Sequence, residues 1–144
     1  AQNTSWANFG LSNAQASVEA CMKTMVWCLE RRSKITSIVN SPTTGHDEKH
    51  DYGDQLQLLQ QLLTPLVDSV GYTLKLLQED FVPLFERYIV PILGPKLQDQ
   101  VDARASLSAL CLFDDVVEHC GGKAAATFSP ALMQGIITAF ELHN

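Results

Sequence analysis

The sequence predicts an all-α protein built from stacked antiparallel helix pairs. Two observations carry the prediction. Apolar residues recur at spacings of three and four along most of the chain, and no alternating β-branched run competes with them. A block of sequence also returns. Phe81, Pro83 and Phe85 reappear 47 residues later as Phe128, Pro130 and Leu132, and Ile89, Val90 and Leu93 as Ile136, Ile137 and Phe140. Upstream, Leu63, Asp68 and Val70 fall on Leu110, Asp115 and Val117 at the same shift. A period of that length belongs to helical solenoids, whose repeats stack into extended binding surfaces.

The elements follow in order. Residues 1–12 are polar apart from Trp6, Phe9 and Leu11, and read as a frayed lead-in. Val18, Cys21, Met22, Met25 and Leu29 set a helical period over 13–39, with the polar Glu30, Arg31 and Arg32 near its end. Asn40, Ser41, Pro42 and Gly45 break it, and the charged run after them extends the loop over 40–53. A second helix is expected over 54–77, opened by acidic Asp54 and kinked or broken near Pro65. A third spans 80–97 with Pro83 in its first turn and Gly94-Pro95 near its end. A fourth runs over 102–120 and stops at Gly121-Gly122, and a fifth covers 124–142 with Pro130 inside. Short connections make helices two to five antiparallel neighbours. With a period in the range of HEAT and armadillo repeats, the expected fold is a right-handed α–α superhelix of about five helices in one segment, 1–144.

A helical wheel of the fourth helix centred on Leu110 gathers Ala103, Ser106, Leu107, Phe113, Val117 and Cys120 on one side. Arg104, Ser108, Asp115 and His119 lie opposite. The repeat shift carries the second group onto Gln57, Gln61, Asp68 and Tyr72. Stacked repeats would align these positions, Asp68 beside Asp115 and Tyr72 beside His119. The stripe is either a solvated face or, with Glu118 added, a partner-facing strip. Leu112 and Pro65 interrupt it at one matched position. Asp114, about 40° from Leu110, is expected at the edge of the buried face with a polar partner.

Composition narrows the function. A net charge of −6 argues against nucleic acid and suits a basic partner. No apolar run is long enough for a membrane helix, and no signal-peptide pattern is present. The chain does not begin with Met, which together with the repeat gives the expectation of a segment of a longer solenoid. Such a segment would self-associate through uncapped ends. Cys21, Cys28, Cys111 and Cys120 form no CxxC pair. Cys111 and Cys120, in an apolar helical pattern, are expected to be buried free thiols.

Catalytic and metal chemistry has little support. His46, Asp47, Glu48, His50 and Asp51 are the ligand-like cluster, but they fall in a loop with Lys49 and no cysteine. Asp115 and His119 share a helix face, with Ser108 two turns away, yet no oxyanion element accompanies them. No phosphate loop, nucleophile elbow or zinc-protease motif is present. Trp6 and Trp27 read as packing residues, and Ser41 to Thr44 as a mobile loop open to phosphorylation. The sequence therefore points to no enzyme, cofactor or metal.

Ala109-Leu-Cys-Leu-Phe-Asp-Asp-Val-Val-Glu-His-Cys120 resembles the LCxFDDxxEHC segment of importin beta-3 (importin-5) type karyopherins, of the importin-beta family. Asp80-Phe-Val-Pro-Leu-Phe-Glu86 matches the helix that precedes it in that family. Glu30-Arg31-Arg32 and the Tyr52-containing acidic run 47–54 stand where the family has an arginine-rich helix end and an acidic linker. The likeness covers roughly residues 13–142. The 40–53 region is less acidic than the family's linker, and Ser41-Pro42-Thr43-Thr44-Gly45 departs from it. The resemblance implies a HEAT-repeat piece from the C-terminal third of a nuclear import receptor. Such receptors work in the cytoplasm, the nucleus and the nuclear pore, bind basic cargo such as ribosomal proteins and histones, release it to RanGTP and touch Phe-Gly nucleoporins. The alternative is a HEAT scaffold subunit of another assembly.

Overall fold

The computed structural model describes residues 4–143, and side chains over 10–141. The described residues are helical with no strand, and four long helices dominate. They are α1 (Thr4–Val39), α2 (His46–Leu77), α5 (Ala103–His119) and α6 (Gly121–His143). No helix is long and apolar enough to cross a membrane among the described residues.

The expected helix over 80–97 is not one helix. It is a chain of short turns in which only α3 (Val82–Leu84) and α4 (Val90–Leu93) are α-helical. Tight 3-10 turns at Gln78–Phe81 and Gly94–Gln98 and a wide π turn at Phe85–Ile89 make up the rest. Pro83, Pro91 and Pro95 explain it. Each removes an amide donor and crowds the carbonyl four residues back. Three in so short a stretch, with Gly94 beside one, leave no run of consecutive α-type hydrogen bonds. A lone proline is tolerated: α2 passes unbroken through Pro65, where a kink or a break was expected, and α6 through Pro130. Both prolines are exposed, so water can take up the freed carbonyls.

Two boundaries also differ from expectation. Helix α1 begins at Thr4 rather than 13; the side chains of Trp6 and Phe9 lie outside the described residues. The charged run from His46 to Gly53 is not loop but the first two turns of α2. Gly45 caps that helix, and Asp47 and Glu48 meet the positive end of its dipole. Only 40–45 remains as a connection.

Contacts fix the helix directions. Arg32 Nη1 donates to the Leu56 carbonyl at 3.2 Å, across the antiparallel α1–α2 pair. In α5 and α6, Phe113 faces Phe128 and Leu110 faces Gly135, so this pair is antiparallel too. Helices α2 and α5 run parallel: Gly71 lies against Leu112 and Asp115, and Glu79 against Gly121. The broken stretch runs parallel to α6, with Phe85 on Phe128 and Leu97 on Gly135. Gln15 at one end of α1 reaches Tyr88, and Leu29 and Ser33 sit near Ile92 and Lys96. Thus α1, the broken stretch and α6 form one layer, and α2 and α5 the other.

Aromatic packing joins the layers. Phe85 is edge-on to both Phe113 and Phe128, each at 5.0 Å, and Phe113 and Phe128 are 5.9 Å apart. Phe81, 6.4 Å from Phe85, completes a buried cluster drawn from three elements. Met22, Met25, Leu63 and Leu74 fill the space between α1 and α2. Trp27, expected to pack, is 57% exposed instead.

Candidate partner interface

The candidate surface is the outward side of the α2–α5 layer. On α2 the expected stripe lies in the open: Gln57, Gln61, Asp68 and Tyr72 are all exposed. Hydrophobic residues flank it. Leu58, Leu62, Tyr72 and Leu76 are each at least half exposed and follow one face of α2, with Pro65 among them. Helical spacing of four, three, seven and four residues keeps such positions on one face. The spacing of this run is present in the sequence, but the wheel did not single out Leu58, Leu62 or Leu76.

On α5 the wheel centre needs correcting. Leu107 is 49% exposed and Leu110 only half-buried, while Leu112, either a contact point or a packing residue on the wheel, is fully buried. The buried face contains Ala105, Ser106, Ala109, Leu112, Phe113, Val116 and Cys120. It is rotated by about 100°, one residue's step, from the expected centre. Residue size explains the difference. Ala105 and Ala109 sit on the closely packed face, while the larger Leu107 and Leu110 lie at the margin near Thr138 and Ala139. A hydrophobicity count favours the leucines; close helix approach favours the alanines.

The rotation redistributes the polar residues. Arg104 and Glu118 are exposed; Ser108, Asp115 and His119 are half-buried. The Ser108 hydroxyl donates back to the Arg104 carbonyl at 2.9 Å, a contact within its own helix. Asp114, expected at the buried edge, is exposed, and Asp115 takes that place. A methyl group at Gly71 would sit 2.9 Å from Asp115 Oδ2, so the missing side chain makes room for the carboxylate. Cys111, expected to be buried, is exposed, whereas Cys120 is buried as expected.

Electrostatics follow from this placement. Burial pushes the Asp115 carboxyl up from its ordinary value; Lys75 and His119 oppose that, and Asp114 and Glu118 reinforce it. Burial also pushes the Cys111 thiol up, with Asp115, Asp114 and Asp68 adding to the effect. Three carboxylates from two parallel helices therefore act on one exposed sulfur. Gly71 of α2 lies against Leu112 and Asp115, about one turn from the position the repeat shift gives it. The two helices are offset along their axes relative to the sequence repeat.

Asp115, Glu118 and His119 are the set of three ligand-type side chains, among the described residues, whose donor atoms lie within 4.8 Å of one another. His119 Nε2 is 3.7 Å from Glu118 Oε2, so the two already pair when the imidazole is charged. The His46 to Asp51 cluster is instead spread around the exposed first turns of α2. No three of its donor atoms lie within 4.8 Å of one another. The α2–α5 surface is thus acidic, with apolar side chains alongside. No family model, curated protein or solved structure matches the chain.

Proposed function

We propose that this chain is a HEAT-repeat segment of an importin-beta-type nuclear transport receptor, and that its α2–α5 surface holds basic cargo. One observation supports the reading above others: Asp68, Asp114 and Asp115, from two parallel stacked helices, all raise the Cys111 thiol through their charge. Parallel stacking of alternate helices is what a helical solenoid requires, and like charges gathered across a helix boundary suit a partner of opposite sign. In the intact receptor, RanGTP would release the cargo and Phe-Gly nucleoporins would engage other faces, giving a protein that shuttles between cytoplasm and nucleus. The reading assigns the chain no catalytic step and no cofactor.

The exposed run Leu58, Leu62, Tyr72 and Leu76 favours a second reading, a scaffold subunit held permanently in another assembly. Obligate contacts are more apolar than transient ones. The two readings part on salt and on Ran. A labelled histone-tail peptide titrated into the chain should bind in low salt and weaken as salt rises. Asp68→Lys/Asp114→Lys should weaken it at least tenfold without loss of helix, because both carboxylates are exposed. RanGTP, and not RanGDP, should displace histone from a receptor containing this segment. Peptide affinity unchanged by the double reversal would overturn the cargo surface. Failure of RanGTP alone would move the assignment to the scaffold.

A further inference from the structure

Helix α6 carries an outward stripe that the core does not use. Met133, Ile137 and Phe140 are 54%, 45% and 66% exposed. Ala126 and Pro130 continue the line and are exposed as well. The spacing of four, three, four and three keeps all five within an arc of about 80°. This is the seam pattern of paired helices. The internal repeat shows that it is not a general property of the unit. At the matched positions, 47 residues earlier, Glu79 and Glu86 stand where α6 has Ala126 and Met133. Where the first copy of the repeat has two acidic residues, the second has apolar ones on its outer face.

We propose that this stripe is a dimer seam, covered by α6 of a second copy running antiparallel about a two-fold axis near Met133. Shape and charge both favour a second copy. An antiparallel register centred at Met133 sets Phe140 of each chain over Ala126 of the other, a large side chain over a small one. It sets the two Met133 side chains against each other. Lys123 and Glu141 are both exposed and lie on the same flank of the stripe, near opposite ends of α6. Antiparallel pairing therefore brings Lys123 of each copy opposite Glu141 of its partner, twice by symmetry; in parallel pairing the two residues stay at opposite ends of the seam and do not meet. The contact is one helix wide. It covers less than the about 800 Å² per partner of a standard interface, so the dimer is expected in the micromolar range.

Sedimentation equilibrium across concentrations up to about 100 μM, a range that brackets micromolar affinity, tests this. The wild-type chain is expected to shift from monomer to dimer. Met133→Glu/Phe140→Glu should remain monomeric with an unchanged far-UV spectrum, since neither side chain supports the core. Lys123→Glu should weaken the dimer about tenfold, and Lys123→Glu/Glu141→Lys should restore it. A wild-type chain that stays monomeric throughout would overturn the proposal. So would a dimer that survives Met133→Glu/Phe140→Glu, which would point to the α2 run at Leu58 instead. A charge swap that fails to restore the dimer would overturn the antiparallel register.

Discussion

The guanidinium of Arg32 grips the carboxylate of Asp102 with two parallel hydrogen bonds, Nε to Oδ2 at 2.9 Å and Nη2 to Oδ1 at 2.8 Å. The two residues are 70 apart in sequence, and both side chains are about nine-tenths buried. The third guanidinium nitrogen donates to the Leu56 carbonyl. Asp102 is also the N-cap of α5, accepting from the amides of Arg104 and Ala105. One ion pair thus ties the end of α1, the body of α2 and the start of α5. Bidentate geometry and filled acceptors are the conditions under which a buried pair repays its desolvation.

Removing one member leaves the other buried and unpaired. Arg32→Met is therefore expected to destabilise the chain by about 3–5 kcal/mol in urea denaturation. Arg32→Met/Asp102→Asn should recover more than half of that, because asparagine still caps α5 without a buried charge. The loss should also depend on pH. Burial pushes the Asp102 carboxyl up, but Arg32 and the amides of Ala105 and Arg104 outweigh it and hold it below its ordinary value of 3.8. A carboxyl held low in the fold stabilises fully above its unfolded value, and this contribution drains as pH falls through the folded one. The gap between wild type and Arg32→Met should be largest near neutral pH and shrink as pH falls through the carboxylate range, because the unpaired Asp102 of the variant takes up its proton first. A gap that persists into strong acid would show that the pair works by packing rather than by charge.

The sequence made the all-helical class legible, because apolar spacing records burial along each helix. It also gave the exposed stripe of α2, where Gln57, Gln61, Asp68 and Tyr72 oppose a single apolar face. It failed at α5, which is packed on two sides; a wheel with one hydrophobic centre cannot represent that. Arg32 looked like part of a polar helix end, since nothing local signals a partner 70 residues away. The turns over 78–98 were written in the prolines, but their sum was harder to read than any one alone. The proposal of a transport receptor rests on a sequence likeness, most specific around Phe113 to Cys120, and on charge.

Two glycines with opposite surroundings test how closely the layers pack. A methyl group at Gly135 would lie 2.9 Å from Leu110 Cδ2 and 3.1 Å from the Leu97 carbonyl oxygen. At Gly53, inside α2, it would meet nothing within 4 Å. Alanine ordinarily gains about 0.5–1 kcal/mol over glycine within a helix. Gly53→Ala is expected to show that gain. Gly135→Ala should instead lose about 1–3 kcal/mol, because a backbone carbonyl cannot step aside as a side chain can. Thermal unfolding of the two variants gives the comparison directly. A stabilising Gly135→Ala would mean that α6 and the stretch before α5 are less closely packed than the structure has them.

Cys111 reports on the field of the proposed cargo surface. Its thiol is exposed, yet burial of part of the group and the charges of Asp115, Asp114 and Asp68 push it up from its ordinary value of 9.0. Reaction requires the thiolate, so exposure alone does not make this cysteine reactive. Against a disulfide reagent at pH 7.5 it is expected to react more slowly than free cysteine. Asp68→Asn/Asp114→Asn should accelerate it several-fold, and added salt should accelerate the wild type by screening the same carboxylates. Cys120, buried and pushed up to about 11, should stay silent until the chain unfolds and so marks the folded baseline. If neither salt nor the two substitutions changes the Cys111 rate, the three carboxylates exert no effective field at this surface. A basic partner would then gain nothing from binding there, whatever the fate of the helix stack beneath it.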